Sequence, residues 1–149
     1  MSEVLSEADL AAVHELINSS QLDRVDFHEL SARRVADTNT ENRTADDDGN
    51  LNLGVQQRID ETSFGVRLNA SVSFTAGEAT VSVAAEYSLK SDYKPSKRTL
   101  QIFCNEVAIM TVFPYLREGM SSITTRVFGE AIYLPVAERG TISVDVDPT

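Results

Sequence analysis

The residues best equipped for chemistry in this 149-residue chain are two histidines, one cysteine and a run of three aspartates, and their spacing assembles none of them into a reacting set. His14 falls on the polar side of a predicted helix and His28 at a predicted irregularity in a strand, so neither has a partner for general acid–base work. Cys104 lies on an apolar helical stripe, which implies a buried, inert thiol. A single cysteine also allows no intrachain disulfide and no cysteine metal pair. Asp46, Asp47 and Asp48, followed by Gly49 and Asn50, hint at calcium, but the alternating ligand spacing of a calcium loop is missing and a solvated acidic loop is the better reading. No glycine-rich phosphate loop occurs. The expectation is a protein without catalytic residues, metal or cofactor, and not an enzyme.

Charge narrows the partners. The chain has 13 basic and 23 acidic residues, a net charge of −10. A phosphate backbone needs a basic cluster to release its counterions, and the nearest one, Lys94 to Arg98, is short, so nucleic acid is not an expected partner. An acidic surface attracts basic, extended polypeptides modestly and in a salt-dependent way. No apolar run approaches the roughly 18 residues that span a bilayer, so membrane insertion is not expected. The opening MSEVLSEADLAAVHEL carries acids where a signal peptide carries lysines, which implies a cytoplasmic protein.

The elements that position these residues follow from periodicity. Ser6 and Asp9 make an approximate capping box for a helix over residues 4–19, with Leu10, Val13, Leu16 and Ile17 at helical spacing. Residues 21–36 form a strand with Val25 and Phe27 on one parity and Leu30 and Ala32 on the other, which a bulge near His28–Glu29 would reconcile. Residues 37–50 are polar and read as a crossover loop. Leu51, Leu53, Val55 and Ile59 alternate with polar residues, with Gln57 as the one polar break. Phe64 to Phe74 and Ala79 to Leu89 alternate strictly around a turn at Thr75–Glu78. Period two means one face buried and one in water, the pattern of an antiparallel sheet, here four-stranded and spanning residues 21–93.

A long helix over residues 96–128 follows, with Ser96 as N-cap. It is apolar on most of its circumference, and one sheet covers only one side. The simplest second cover is the same helix of another subunit, which makes Phe103, Val107, Met110, Phe113, Tyr115, Arg117 and Met120 the expected interface. Tyr115, Arg117 and Glu118 read as subunit packing with an Arg–Glu pair. Pro114 lacks a donor and clashes with the carbonyl four residues back, so a kink or restart is expected there. Residues 129–149 form a tail that frays beyond an apolar run, Ile132 to Val136. The whole chain, residues 1–149, is one α+β domain with both helices packed on one face of the sheet.

The segment Phe113-Pro114-Tyr115-Leu116-Arg117-Glu118, followed by Ser121, Ile123 and Arg126, resembles the signature of the SecB export-chaperone family within its long helix. Leu134-Pro135-Val136 resembles the family's apolar segment after that helix, and the order of strands agrees along nearly the whole chain. The N-terminal helix is more similar to the actinobacterial SecB-like chaperones, some of which belong to toxin–antitoxin–chaperone systems. The resemblance implies a homotetramer, a dimer of dimers with helices between two sheets. It also implies ATP-independent binding of unfolded chains in apolar grooves, whose nearest counterparts here are Leu51, Leu53 and Val55 with Ile132, Tyr133, Leu134 and Val136. The implied client is a preprotein or a dedicated antitoxin, the latter engaged through its C-terminal segment. The family's second C-terminal helix and its docking tail for the SecA motor are not evident in Thr141 to Thr149, so that docking is not expected.

Two other classes compete. A small-ligand domain of cystatin or NTF2 type needs polar groups on the concave apolar face, and the core-facing positions of residues 64–89 hold no Asp, His or Lys. A purely structural oligomer would protect no aggregating client.

Overall fold

The computed structural model describes residues 4–35, 50–90, 92–135 and 142–148. The crossover loop and the Asp46–Asp48 run lie outside these residues. Ser6 opens α1 (Glu7–Asn18): its hydroxyl accepts from the Asp9 N–H at 3.0 Å, and the Asp9 carboxylate accepts from the Ser6 N–H at 3.1 Å. Val13 and Leu16 are the buried residues of this helix.

Strands β1 (Ser20–Arg34), β2 (Asn50–Ile59), β3 (Ser63–Phe74) and β4 (Gly77–Leu89) pair antiparallel in the order β1-β4-β3-β2. The expected bulge is present: pairing of β1 with β4 shifts between Phe27 and Glu29, and again between Leu22 and Arg24. Each shift leaves one residue unpaired, so Leu22, Val25, Phe27, Leu30 and Ala32 all stand opposite inward residues of β4, from Tyr87 to Ala79. Inward residues of β3 and β4, among them Phe64, Leu68, Val81 and Val83, are fully buried under the helices. Phe64 stacks on Tyr87 at 4.7 Å and meets the Phe103 ring edge-on at 5.4 Å. The opposite face is polar: Arg67 donates to the Ser82 hydroxyl, which donates to Asn69, both at 2.7 Å.

Ser96 caps the long helix as expected, accepting from the Thr99 N–H at 3.0 Å. The helix comprises α2 (Lys97–Phe103), a five-residue π turn (Cys104–Ala108) and α3 (Ile109–Phe128). The restart expected at Pro114 does not occur, because α3 runs through it. Pro114 is exposed, as is Met110, so the carbonyl left without a helical donor lies on the solvent side. The irregularity sits earlier, where the Ile109 N–H donates to the Cys104 carbonyl across five residues. That turn shifts the apolar stripe by one position: Ala108, Ile109 and Val112 are buried, while Val107 is half-buried and Met110 exposed.

By length and composition this helix, Lys97–Phe128, is able to cross a bilayer, which the run-length reading of the sequence did not register; 61% of its most apolar window is buried inside the protein, as befits a core helix.

Candidate functional site

After Gly129 the chain turns and runs back along the long helix, held by helix side chains. The Ile132 N–H donates to the hydroxyl of Thr124 at 2.9 Å, and that hydroxyl, fully buried, donates to the Met120 carbonyl at 2.6 Å. Arg117 Nε donates to the Leu134 carbonyl at 3.2 Å. Further back, the Asn105 side chain takes both backbone groups of Val144: its Nδ2 donates to the carbonyl at 3.0 Å and its Oδ1 accepts from the N–H at 2.8 Å. Gln101 Oε1 accepts from the Asp147 N–H at 2.7 Å, and Arg98 Nη1 donates to the Asp147 carbonyl at 2.7 Å. As the tail advances from 132 to 147, its partners descend from 124 to 98, so the two run antiparallel. The fraying expected of the tail is therefore replaced, over residues 142–148, by an extended segment. Its Ile142 is buried and its Val144 and Val146 pack half-buried on the core. Part of the helix's second cover is thus intramolecular.

Arg98 ties three elements at one point. Besides the tail, it grips α1 through Asp9, with Nε on Oδ1 at 3.1 Å and Nη2 on Oδ2 at 3.0 Å. The two side chains are only 14% and 11% exposed. The guanidinium, followed by the hydrogen bonds from Ser6, lowers the Asp9 carboxyl from 3.8 to about 2. A carboxylate depressed in the folded state stabilises above its unfolded value and loses that stabilisation as pH falls through its folded value. Wild-type protein is therefore expected to melt higher than Asp9→Asn at neutral pH, with the difference shrinking between about pH 4 and pH 2. Thermal melts of both proteins across that range check this; a difference that persists unchanged at pH 2 contradicts it.

The residues singled out in the sequence divide by position. On β2, which among the described residues pairs only with β3, Leu51 is 41% exposed and Leu53 and Val55 are half-buried. On the returning segment, Tyr133 is 74% exposed and Ile132 half-buried, whereas Leu134 is buried as an anchor. Val136 lies outside the described residues. Of the helix residues assigned to subunit contact, Phe103, Phe113 and Met120 are buried in the chain's own core. Val107 and Arg117 are half-buried, and Met110 and Tyr115 are exposed. Arg117 is committed to the Leu134 carbonyl.

The residues considered first for chemistry remain scattered. His14 and His28 are exposed on α1 and β1, respectively. Burial pushes the Cys104 thiol up to about 12. Among the described residues no group of three or more His, Cys, Asp or Glu is placed to hold a metal. A shallow depression of about 220 Å³ on the polar face of the sheet includes His28, Arg58, Arg67 and Glu86. Another, of about 380 Å³, lies between the end of β2 and the start of α2, lined by Ile59, Leu89, Pro95 and Leu100 among others.

Sequence reasoning missed the polar row Arg98, Gln101 and Asn105, along with Thr124 and Gln57. The signal was present: Gln101 and Asn105 interrupt an otherwise apolar stretch three and seven residues after Arg98. Gln57, noted only as a break in alternation, donates to the Leu100 carbonyl at 3.0 Å and ties β2 to α2.

No family model matches the chain. A curated relative, the SecB-like chaperone SmegB of Mycolicibacterium smegmatis, is 29% identical over 132 residues, covering 89% of this chain and 85% of that protein. A solved structure, the Mycobacterium tuberculosis SecB-like chaperone Rv1957 in complex with a ChAD peptide from the Rv1956 HigA1 antitoxin, superposes with a TM-score of 0.68. It is 16% identical and the match covers 89% of this chain and all of that one. The fold and the sequence likeness run together over nine-tenths of the chain, so in both respects the chain is similar to the SecB-like chaperones.

Proposed function

We propose that this protein is a holdase that keeps an extended polypeptide from folding or aggregating, without ATP, by covering its apolar residues. The observation that carries the reading is an apolar row left open on the helix-facing side of β2, in a fold shared with a chaperone captured on an antitoxin peptide. Leu51, Leu53 and Val55 project from that side, opposite Val72, Ala70 and Leu68 of β3. Tyr133 and Ile132 supply further apolar surface on the returning segment, with Leu134 as its buried anchor. The peptide in the neighbouring complex supports an antitoxin as client in preference to a secreted preprotein. Contacts of this kind depend on backbone hydrogen bonds and apolar pockets, so client affinity is spread along the chain. The protein acts in the cytoplasm and carries out no reaction of its own.

Assembly into a dimer of dimers fits the surface that remains uncovered. Along β1, Leu22, Phe27 and Leu30 are between 39% and 47% exposed although they face the helix side. Gly119 allows α3 to lie close there, since a Cβ at that position would come within 2.7 Å of Phe27. Tyr115, one helical turn before Gly119, is exposed on the same helix, and among the described residues the outer edge of β1 is unpaired. An apolar patch next to a free strand edge is what a second copy of the chain would cover.

The test combines an aggregation assay with a sizing measurement. Wild-type protein is expected to elute as a tetramer and to suppress aggregation of a chemically denatured client near a one-to-one ratio without ATP. Leu51→Asp places a charge among the client's apolar contacts and is expected to weaken protection about tenfold while leaving the melting temperature within about 2 °C. Absence of protection by the wild type would leave a purely structural oligomer.

A further inference from the structure

The hydrogen bonds that hold Ile142 to Pro148 against the helix read its backbone as well as its side chains. Asn105 takes the N–H and carbonyl of Val144, and Gln101 and Arg98 take the N–H and carbonyl of Asp147. Every non-proline residue in any polypeptide offers this pair of groups. Side chains of the segment alternate: Ile142, Val144 and Val146 pack on the core while Ser143 and Asp145 face outward. Acidic Asp147 also meets Lys97 at 3.5 Å, an exposed pair of little net stability.

The row lies beside the proposed client strand. Gln57 of β2 holds the Leu100 carbonyl, and the next residue, Gln101, holds the tail. Successive helical residues face about 100° apart, so β2 and the tail occupy adjacent sides of α2. Asn105 itself belongs to the π turn, an uncommon element for an otherwise regular core helix.

We propose that Arg98, Gln101 and Asn105 form a backbone-reading track for an extended segment of the client, and that Ile142 to Pro148 is its resident, displaceable occupant. This deepens the holdase reading and rests on it. The fitting client segment is extended, apolar at alternate positions and acidic where it meets Lys97. It binds antiparallel to α2 in place of the tail, continuing the surface that begins on β2.

The full-length protein tests this directly. Ser143→Cys, at an exposed tail position, accepts a spin label selectively because the native thiol of Cys104 is buried. Adding a peptide of residues 142–148 in trans is expected to release the labelled segment, seen as a saturable rise in label mobility. The same peptide N-methylated at its Val144 amide is expected to compete at least tenfold more weakly, having lost the bond to Asn105. Val144→Pro in the chain removes that donor outside the helix, and Asn105→Ala removes the acceptor from within it. Val144→Pro is expected to raise affinity for a denatured client about tenfold, as the internal competitor weakens, with an unchanged circular dichroism spectrum. A label that no peptide concentration mobilises, or equal competition by the two peptides, would overturn the track. Unchanged client affinity in Val144→Pro, with the wild type protective, would overturn the displacement while leaving the holdase reading intact. Failure of both proteins to protect a client, with the label still mobilised by peptide, would overturn the holdase reading and the client's place on the track together.

Discussion

Replacing Phe64 with alanine is expected to cost about 3–5 kcal/mol of unfolding free energy, a large fraction of what a domain of this size holds in reserve. Phe64 is fully buried and joins three elements. Its ring stacks on Tyr87 of β4, and Phe103 of α2 lies perpendicular to both rings, its centre 5.4 Å from Phe64 and 5.3 Å from Tyr87. Truncation removes the transfer free energy of the ring and leaves a cavity whose walls are held apart by strand pairing on one side and a helix on the other. Urea unfolding followed by circular dichroism reads the loss. A cost below about 1 kcal/mol would mean that Tyr87 and Phe103 collapse into the space and that the sheet–helix interface is softer than described.

Gly77→Ala is expected to cost about 3 kcal/mol or more, although it adds a single methyl group. Gly77 begins β4 and stands opposite Arg34 at the end of β1. A Cβ on Gly77 would overlap the Arg33 backbone carbonyl and lie 2.7 Å from the Phe128 ring. A long side chain can rotate aside; a backbone carbonyl in a paired strand moves only with the strand. The substitution therefore loosens the end of β1 and the seat of Phe128, which packs against Phe74 at 5.0 Å. Hydrogen exchange should show protection falling first in Ala32 to Arg34 and in the turn at Thr75–Ala76. Protection falling uniformly across the sheet would contradict the local origin of the effect.

The sheet was legible because its signal is redundant. In β3 and β4 alternation runs over a dozen residues apiece, so one polar or small residue does not obscure the face. Even the bulge in β1 was readable, because Val25 and Phe27 disagree in parity with Leu30 and Ala32 and only one extra residue reconciles them. The helix was legible as an element but not in its phase. A π turn has no sequence marker comparable to proline, so Pro114 drew the expectation of a break that belonged to residues 104–108. Phe103, Phe113 and Met120, assigned to subunit contact, are buried in the chain's own core, because an apolar pattern around most of a helix does not say which part of it meets the sheet. The candidate site was legible only as apolar segments. Its polar holders act across long sequence separations, Asn105 on Val144 and Thr124 on Ile132, and no local periodicity reports such a pair.

The returning chain and the helix that carries it are unequal partners in inheritance. On the helix, the contacts depend on particular side chains at Arg98, Gln101, Asn105, Arg117 and Thr124. On the returning chain, the same contacts engage main-chain groups, which a change of residue type leaves in place unless proline arrives. The outward positions of the segment are free to drift while the helix that grips it cannot. Related proteins would then share the holders and differ in what is held, and a comparison of C-terminal sequences alone would find no trace of a path whose instructions lie some 40 residues upstream.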